Sequence, residues 1–340
     1  MPPEMILILI VACGVVLYAL LGGADFGAGV WLVNTRFQAS ERETQLLYSA
    51  IGPVWEANHV WLIFVMIAVW NGFPMAFGDL CRILWLPLFL ALLGIVFRGA
   101  AYAFRTHMPS SDQSHVWWWE RVFAVASVAT PFCFGMCVGV LASGFDHPLL
   151  EGSSSWLNAV PWFCGFFAVG LCAFLSSLYL YREAAWTGNE QLVAAWRRRA
   201  LLMGVLLGAF AVIGLGVVYW TTPEFAGRLF ASGGFLVGLS LASGIFAVVQ
   251  TYRSARLTAM IGGAVAVTTV LGGWVLAMSP DLVPGRWTIE TAKAPDSVIW
   301  LMLGVVALGA VLLVPALGLL FWIYKRGQTS SPSSTGQISH

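Results

Sequence analysis

MILILIVACGVVLYALLGGADFGAGVW, residues 5–31, carries a single charge, Asp25. A bilayer core of about 30 Å needs about 20 apolar residues in a helix, so this stretch reads as a membrane span. Eight further stretches qualify: 53–77, 79–104, 122–141, 157–180, 200–220, 229–249, 257–278 and 298–322. The alternating apolar and polar segments of a membrane barrel are absent. The expected fold is therefore an all-α polytopic membrane protein with about nine transmembrane helices. Four plus four spans and one extra suit two four-helix bundles with one peripheral helix, although no internal repeat stands out. The start, MPPEMILILI, has no basic segment and no clear cleavage site. The first span is accordingly expected to be kept rather than removed as a signal peptide.

Composition points the same way. Of 340 residues, 59% are apolar and 10% charged, against about 45–50% and about 25% in soluble domains. The mean hydropathy is +0.83. Seventeen Lys and Arg nearly balance sixteen Asp and Glu, so no basic surface suggests nucleic acid; the expected surroundings are the lipid bilayer. The six cysteines, Cys13, Cys81, Cys133, Cys137, Cys164 and Cys172, lie in or beside apolar runs. Cys133 and Cys137 share a helical face, but a soft-metal site wants more convergent His or Cys than one pair. Free buried thiols behave as small hydrophobes, so packing is their expected role and no metal is expected.

Orientation follows from the Lys and Arg between spans. Twelve gather on one side, including Arg36, Arg105, Arg121, Arg197–Arg199, Arg253 and Arg256, and four on the other, Arg82, Arg228, Arg286 and Lys293. The expected N-terminus is outside and the C-terminus cytoplasmic. Residues 1–326 form the helical domain, and 327–340 read as a disordered polar tail on the cytoplasmic side. No link between spans could hold a nucleotide-binding domain, which argues against ATP-driven transport within this chain.

Charges inside spans are costly and mark function by default. Asp25 sits deep in the first span, Glu56 near the start of the second and Arg98 late in the third; the orientation puts all three in the cytoplasmic half. Asp25 is expected about 10 Å from the inner end of its helix, at about 1.5 Å per residue. Arg98 either snorkels to the inner surface or serves as a fixed counter-charge, with Glu56 the expected partner. Around Asp25, Gly23 and Gly27 are four apart and allow a second helix, or a partner chain, to approach closely. Desolvation there disfavours the charged carboxylate and suits a protonatable relay group. His59 tempts as a haem ligand, but a bis-histidine site needs two facing imidazoles at membrane depth. Its expected role is a hydrogen-bonding group beside Glu56. Asn58, Asn71 and Arg82 add polar groups along the second helix and its outer turn. The seventeen tryptophans are explained by interfacial belts, as in Trp117–Trp119 and Trp220.

With these residues in view, a family resemblance becomes specific. Gly22-Gly-Ala-Asp-Phe-Gly-Ala-Gly29 resembles the Asp-Gly-Phe-Asp-x-Gly-x-Gly signature in the first helix of subunit II of cytochrome bd-type quinol oxidases. Gly52-Pro-Val-Trp-Glu-Ala-Asn-His-Val-Trp-Leu62 is similar to that family's Pro-x-Trp-Asp/Glu-x-Asn-x-Val-Trp-Leu segment, and Phe97-Arg98 to a Phe-Arg in its third helix. The segment from Pro280 to Met302 resembles the loop before the last span. The resemblance implies a bacterial inner-membrane heterodimer whose haem-bearing subunit I, with haems b and d or b alone, oxidises quinol and reduces oxygen. This chain would bind no haem; a structural quinone here and a small accessory membrane subunit are left open. It would support subunit I and contribute to proton uptake from the cytoplasm through Asp25 and Glu56, with Arg98, Asn58 and His59 alongside. Gly23 and Gly27 are the expected partner interface. One departure stands out: Gly22 occupies the position of the family's first acid, and Ala24 that of the aromatic, as in a cyanide-insensitive or otherwise divergent branch. The rival reading is a polytopic secondary transporter with a proton-coupled acidic site, whose midplane site would use broken helices. No pair of interrupted helices stands out.

Overall fold

The computed structural model describes residues 1–35, 43, 45–48, 55–107, 113–147 and 154–329. The apolar runs become helices because a backbone in hydrocarbon must satisfy its own hydrogen bonds. In chain order these are α1 (Pro3–Thr35), α2 (Trp55–Gly72), α3 (Pro74–Ile83), α4 (Trp85–His107), α5 (Gln113–Ser143) and, after a turn at Ser154–Leu157, α6 (Ala159–Trp186). Then follow α7 (Glu190–Thr221), α8 (Pro223–Arg228), a π turn (Leu229–Gly233), α9 (Gly234–Tyr252) and α10 (Arg256–Met278). A small hairpin of β1 (Asp281–Val283) and β2 (Trp287–Thr288) leads into α11 (Ile289–Ala292) and α12 (Asp296–Thr329). Among the described residues, eight helical stretches are long and apolar enough to cross a membrane, with Asn58–Gly72 a shorter apolar helix beside them. The protein is a multi-pass membrane protein.

The junction of the second and third spans departs most from the sequence reading. The second span ends at Gly72 instead of residue 77, and the third begins at Trp85 instead of residue 79. Phe73 leaves the helix (φ −137°, ψ 60°) and Pro74 opens α3. A residue before proline is pushed away from helical geometry, and proline itself is at home in a helix's first turn. The intervening α3 is a separate ten-residue helix. The last helix runs to Thr329, and residues 330–340 of the expected tail lie outside the described residues.

At the centre, α1 packs on α2, α5 and α6; α4 lies against α5, and α6 also contacts α7 and α10. The pair α9–α10 closes against α7, while α12 touches α1 and α2. Several hydroxyl and amide side chains within the helices are satisfied locally. The hydroxyls of Ser127, Thr130 and Ser143 donate to the carbonyls four residues back, as serine and threonine can in a helix, and Asn71 donates likewise to Ile67.

Polar bonds fasten the hairpin end. Trp287 Nε1 donates to Asp79 at 2.7 Å, Arg228 meets Asp281 at 2.9 Å, and Ala294 N–H donates to the Gly72 carbonyl at 2.8 Å. Lys293 lies 3.1 Å from Asp296 and 3.4 Å from Glu4; the Asp296 hydrogen bond foremost holds its ammonium above the ordinary lysine range. The opposite end gathers arginines. Arg105 pairs with Glu120 at 3.1 Å, and Arg199 with Glu43.

Candidate functional site

Asp25 lies ten residues before the end of α1 at Thr35, about 15 Å along a helix rising about 1.5 Å per residue. That is deeper than the sequence reading placed it, because α1 continues past Trp31 for another turn. Arg98 on α4 reaches the same level. Its Nη2 donates to Asp25 Oδ1 at 2.6 Å and to the Asp25 carbonyl at 3.2 Å. Its Nε donates to Ser127 Oγ at 3.0 Å, and that hydroxyl donates onward to the Phe123 carbonyl at 2.7 Å. The guanidinium carbon sits 4.8 Å from the Phe26 ring centre and 4.6 Å from that of Phe123. Three helices, α1, α4 and α5, thus converge on one cation.

Burial makes this pair unusual. Arg98 is 1% exposed and Asp25 is 7% exposed, so Arg98 does not snorkel to the surface. Among the described residues its ion-pair partner is Asp25; Glu56 was the expected one. Asp25 and Arg98 both lie well inside their helices, whereas Glu56 stands in the first turn of α2. The side chain of Glu56 lies outside the described residues. The desolvated acid expected at position 25 is half of a buried ion pair with Arg98.

Asn58 and His59 do come to this cluster. Asn58 is 1% exposed, and its Nδ2 donates to the Leu21 carbonyl at 3.3 Å, one turn before Asp25. The His59 ring lies beside Phe26 and Tyr18, with centres 6.2 and 6.1 Å away. Tyr18, Asp25 and Asn58 each keep one buried oxygen, Oη, Oδ2 and Oδ1, without a partner among the described residues. Buried polar atoms are rarely left unpaired. Three on adjacent helix faces mark the polar interior of an otherwise apolar fold.

Gly23 and Gly27 are placed otherwise than expected. Both are buried and face the chain's own α6. A Cβ on Gly27 would strike the Cys172 carbonyl and Ser176, and one on Gly23 would lie 3.3 Å from Leu175. The close approach they permit is filled within this subunit, so they are not a surface for a partner. Cys133, Cys137 and Cys172 are buried free thiols. Sequence reasoning missed Tyr18, Phe26, Phe123 and Ser127. Tyr18 could have been found, since it lies seven residues before Asp25 and so on the same helix face. Ser127 could not, because a serine in an apolar helix most simply bonds its own backbone.

The sequence pattern described as "Cytochrome bd terminal oxidase subunit II" matches residues 3–324. The chain is 34% identical over 125 residues to the "Cytochrome bd ubiquinol oxidase subunit 2" of Bacillus subtilis, covering 36% of each chain. To the "Cytochrome bd-I ubiquinol oxidase subunit 2" of Escherichia coli K12 it is 25% identical over 211 residues, covering 59% of this chain and 54% of that one. The matched stretches thus span between about a third and about half of these relatives' length. A chain of the solved bd oxidase from Geobacillus thermodenitrificans shares the fold, with a TM-score of 0.79, 22% identity and coverage of 95% of this chain and 99% of that one.

Proposed function

The chain belongs to the cytochrome bd terminal oxidase subunit II family, and from that premise we propose that it is the non-haem subunit of a membrane quinol:oxygen oxidoreductase. It supports a haem-bearing subunit I and helps deliver protons from the cytoplasm. The N-terminus lies outside and the Arg-rich helix ends face the cytoplasm, as the charge asymmetry favours. Family membership disfavours the transporter reading.

Haem in subunit I, when bound, carries electrons from quinol to oxygen. The described residues of this chain do not fit a haem of their own. His59 is the described imidazole within a span, and its ring packs beside Tyr18 and Phe26. The work left to this chain is moving protons and holding charge.

The observation that carries the proton reading is the Asp25–Arg98 pair with one carboxylate oxygen still unsatisfied. Oδ1 is held by Arg98, which fixes the carboxyl's orientation. Oδ2 is buried and without a described partner, so it is the atom that accepts and passes a proton. Glu56, in the first turn of α2, is the entry group. Asn58, anchored on Leu21, presents its Oδ1 between the two levels. Arg98 keeps the site neutral when Asp25 is ionised and so lowers the penalty for a charge at this depth.

The test uses the tagged chain purified from its native membrane. A reduced-minus-oxidised spectrum should show haem in the co-purified complex and none in this chain expressed alone. Asp25→Asn should leave that spectrum intact and slow quinol-driven oxygen uptake. Full uptake in that variant would leave the subunit a scaffold.

A further inference from the structure

Several described cations of this chain have a carboxylate at hand. Arg98 meets Asp25, Arg105 meets Glu120, Arg199 meets Glu43, Arg228 meets Asp281, and Lys293 meets Glu4. The end of the protein where α6, α7, α9 and α10 meet gathers four arginines that lack one. There, among the described residues, Arg182, Arg197, Arg253 and Arg256 have no carboxylate partner.

Their surroundings place them together. Arg197 on α7 donates through Nε to the Thr251 carbonyl at 3.1 Å and also bonds the Tyr252 carbonyl, tying α7 to the last turn of α9. Arg253 and Arg256 flank the tight turn that follows, where Ser254 takes a positive φ of 61°. The Arg256 guanidinium carbon lies 5.4 Å from the Tyr181 ring centre, and its Nε is buried with no described partner. Arg182 finds Met260 Sδ at 4.0 Å. Arg182, Arg197 and Arg256 are held by aromatic rings, carbonyls and sulfur, with no carboxylate partner among the described residues.

Beside them lies a cavity of about 780 Å³ between α7 and α9, with α6 and α10 as its other walls. Its lining is apolar. It begins at Val249 and Gly204 and reaches Val218 and Leu229 at the far end, about 21 Å away at about 1.5 Å per residue along α7. Arg253 caps α9, its N–H donating to the Val249 carbonyl four residues back at 2.9 Å, so the cavity starts one turn from that arginine. Its width is held by glycine. A Cβ at Gly208, Gly238 or Gly244 would meet no atom within 4 Å, so close helix contact does not account for these residues, although glycine disfavours a helix interior. They keep room for something else.

An apolar slot about as long as an acyl chain, ending near guanidinium groups without a described carboxylate, fits one class of molecule. We propose that an anionic phospholipid is bound here, its phosphate between Arg253 and Arg256 and an acyl chain between α7 and α9. Guanidinium is matched to phosphate through paired, charge-assisted hydrogen bonds. An uncharged isoprenoid would fill the slot and leave the arginines unanswered. The site is separate from the Asp25 cluster, so it does not depend on the proton reading.

Native mass spectrometry of the purified oxidase complex tests the proposal, using nanodiscs of phosphatidylcholine with and without phosphatidylglycerol. The wild-type complex should retain one phosphatidylglycerol through detergent exchange and no phosphatidylcholine. Arg253→Gln with Arg256→Gln should weaken that retention by about fivefold per arginine removed, while Gly208→Leu, which fills the slot and spares the cations, should abolish it. Haem content of each complex reports its folding. Retention of phosphatidylglycerol by both well-folded variants overturns the site; so does equal retention of phosphatidylcholine, or recovery of a quinone in its place.

Discussion

Removing Arg98 should cost far more than its single charge suggests. Arg98→Leu keeps bulk between Phe26 and Phe123 but strands the Asp25 carboxylate, 7% exposed, without its cation at 2.6 Å. Breaking one side of a buried pair typically costs about 3–5 kcal/mol. Ser127 Oγ also loses the donor at 3.0 Å, which adds about 1 kcal/mol. Asp25→Leu should cost a similar amount, since it leaves the guanidinium in an apolar sandwich.

The double replacement, Arg98→Leu with Asp25→Leu, is the informative one. Replacing both members of a buried pair with apolar groups is often close to neutral. The double variant should therefore be more stable than either single one, with a coupling energy of several kcal/mol. The assay is equilibrium unfolding of the detergent-solubilised complex followed by tryptophan fluorescence. Single costs below about 1 kcal/mol, or a double variant equal to the sum of the singles, would refute the claim that these two side chains hold each other.

Three further outcomes follow from other parts of the molecule. Gly27→Ala should destabilise the α1–α6 contact severely, because its Cβ meets the Cys172 backbone, while Gly23→Ala meets only the end of Leu175 at 3.3 Å and should be tolerated; thermal unfolding of both variants separates them, and equal melting would sink the distinction. Asp25→Asn and Glu56→Gln should each slow quinol-driven oxygen uptake by about a hundredfold, the low end of what a positioned proton-transfer group is worth, with haem spectra unchanged; wild-type proton-uptake kinetics in both would remove the relay. Asp79→Ala strands Trp287 Nε1, bonded at 2.7 Å, and should loosen residues 281–288 by about 1–3 kcal/mol; hydrogen exchange in that hairpin reads this directly, and unchanged protection would show that the loop is held elsewhere.

Much of the fold was legible because hydrocarbon imposes so few solutions on a chain. Long apolar runs had to be helices, and their order follows from their order in sequence. The break at Phe73–Pro74 was missed for a local reason. Hydropathy carries smoothly across Met75, Ala76 and Phe77, while backbone geometry does not. Within the site, the acid and the arginine were each visible as charges in apolar surroundings. Their pairing was not, since it depends on how far α1 extends and on the level at which α4 meets it. The glycines near Asp25 announced close packing correctly but could not say against what. A neighbour inside the chain and one outside it leave the same mark on a sequence.

The same geometry bears on the departure at Gly22, where the resembling family carries an acid. A Cβ at this position would lie 3.3 Å from Cε2 of Tyr18, one turn earlier on α1. The Tyr18 ring takes that space and meets Phe26 and Phe134 edge-on, with centres 6.4 and 5.8 Å apart. An acid at 22 and this placement of Tyr18 compete for one volume. Charge explains which arrangement is the more economical here. Asp25 and Arg98 already sum to zero in a buried site, and a second carboxylate would leave a net negative charge at a depth where uncompensated charge is costly. A phenol hydroxyl adds a donor and an acceptor with no charge. Its Oη is buried on the same helix face as Asp25, so the polar interior extends along α1 past the missing acid while the pair beside it stays balanced.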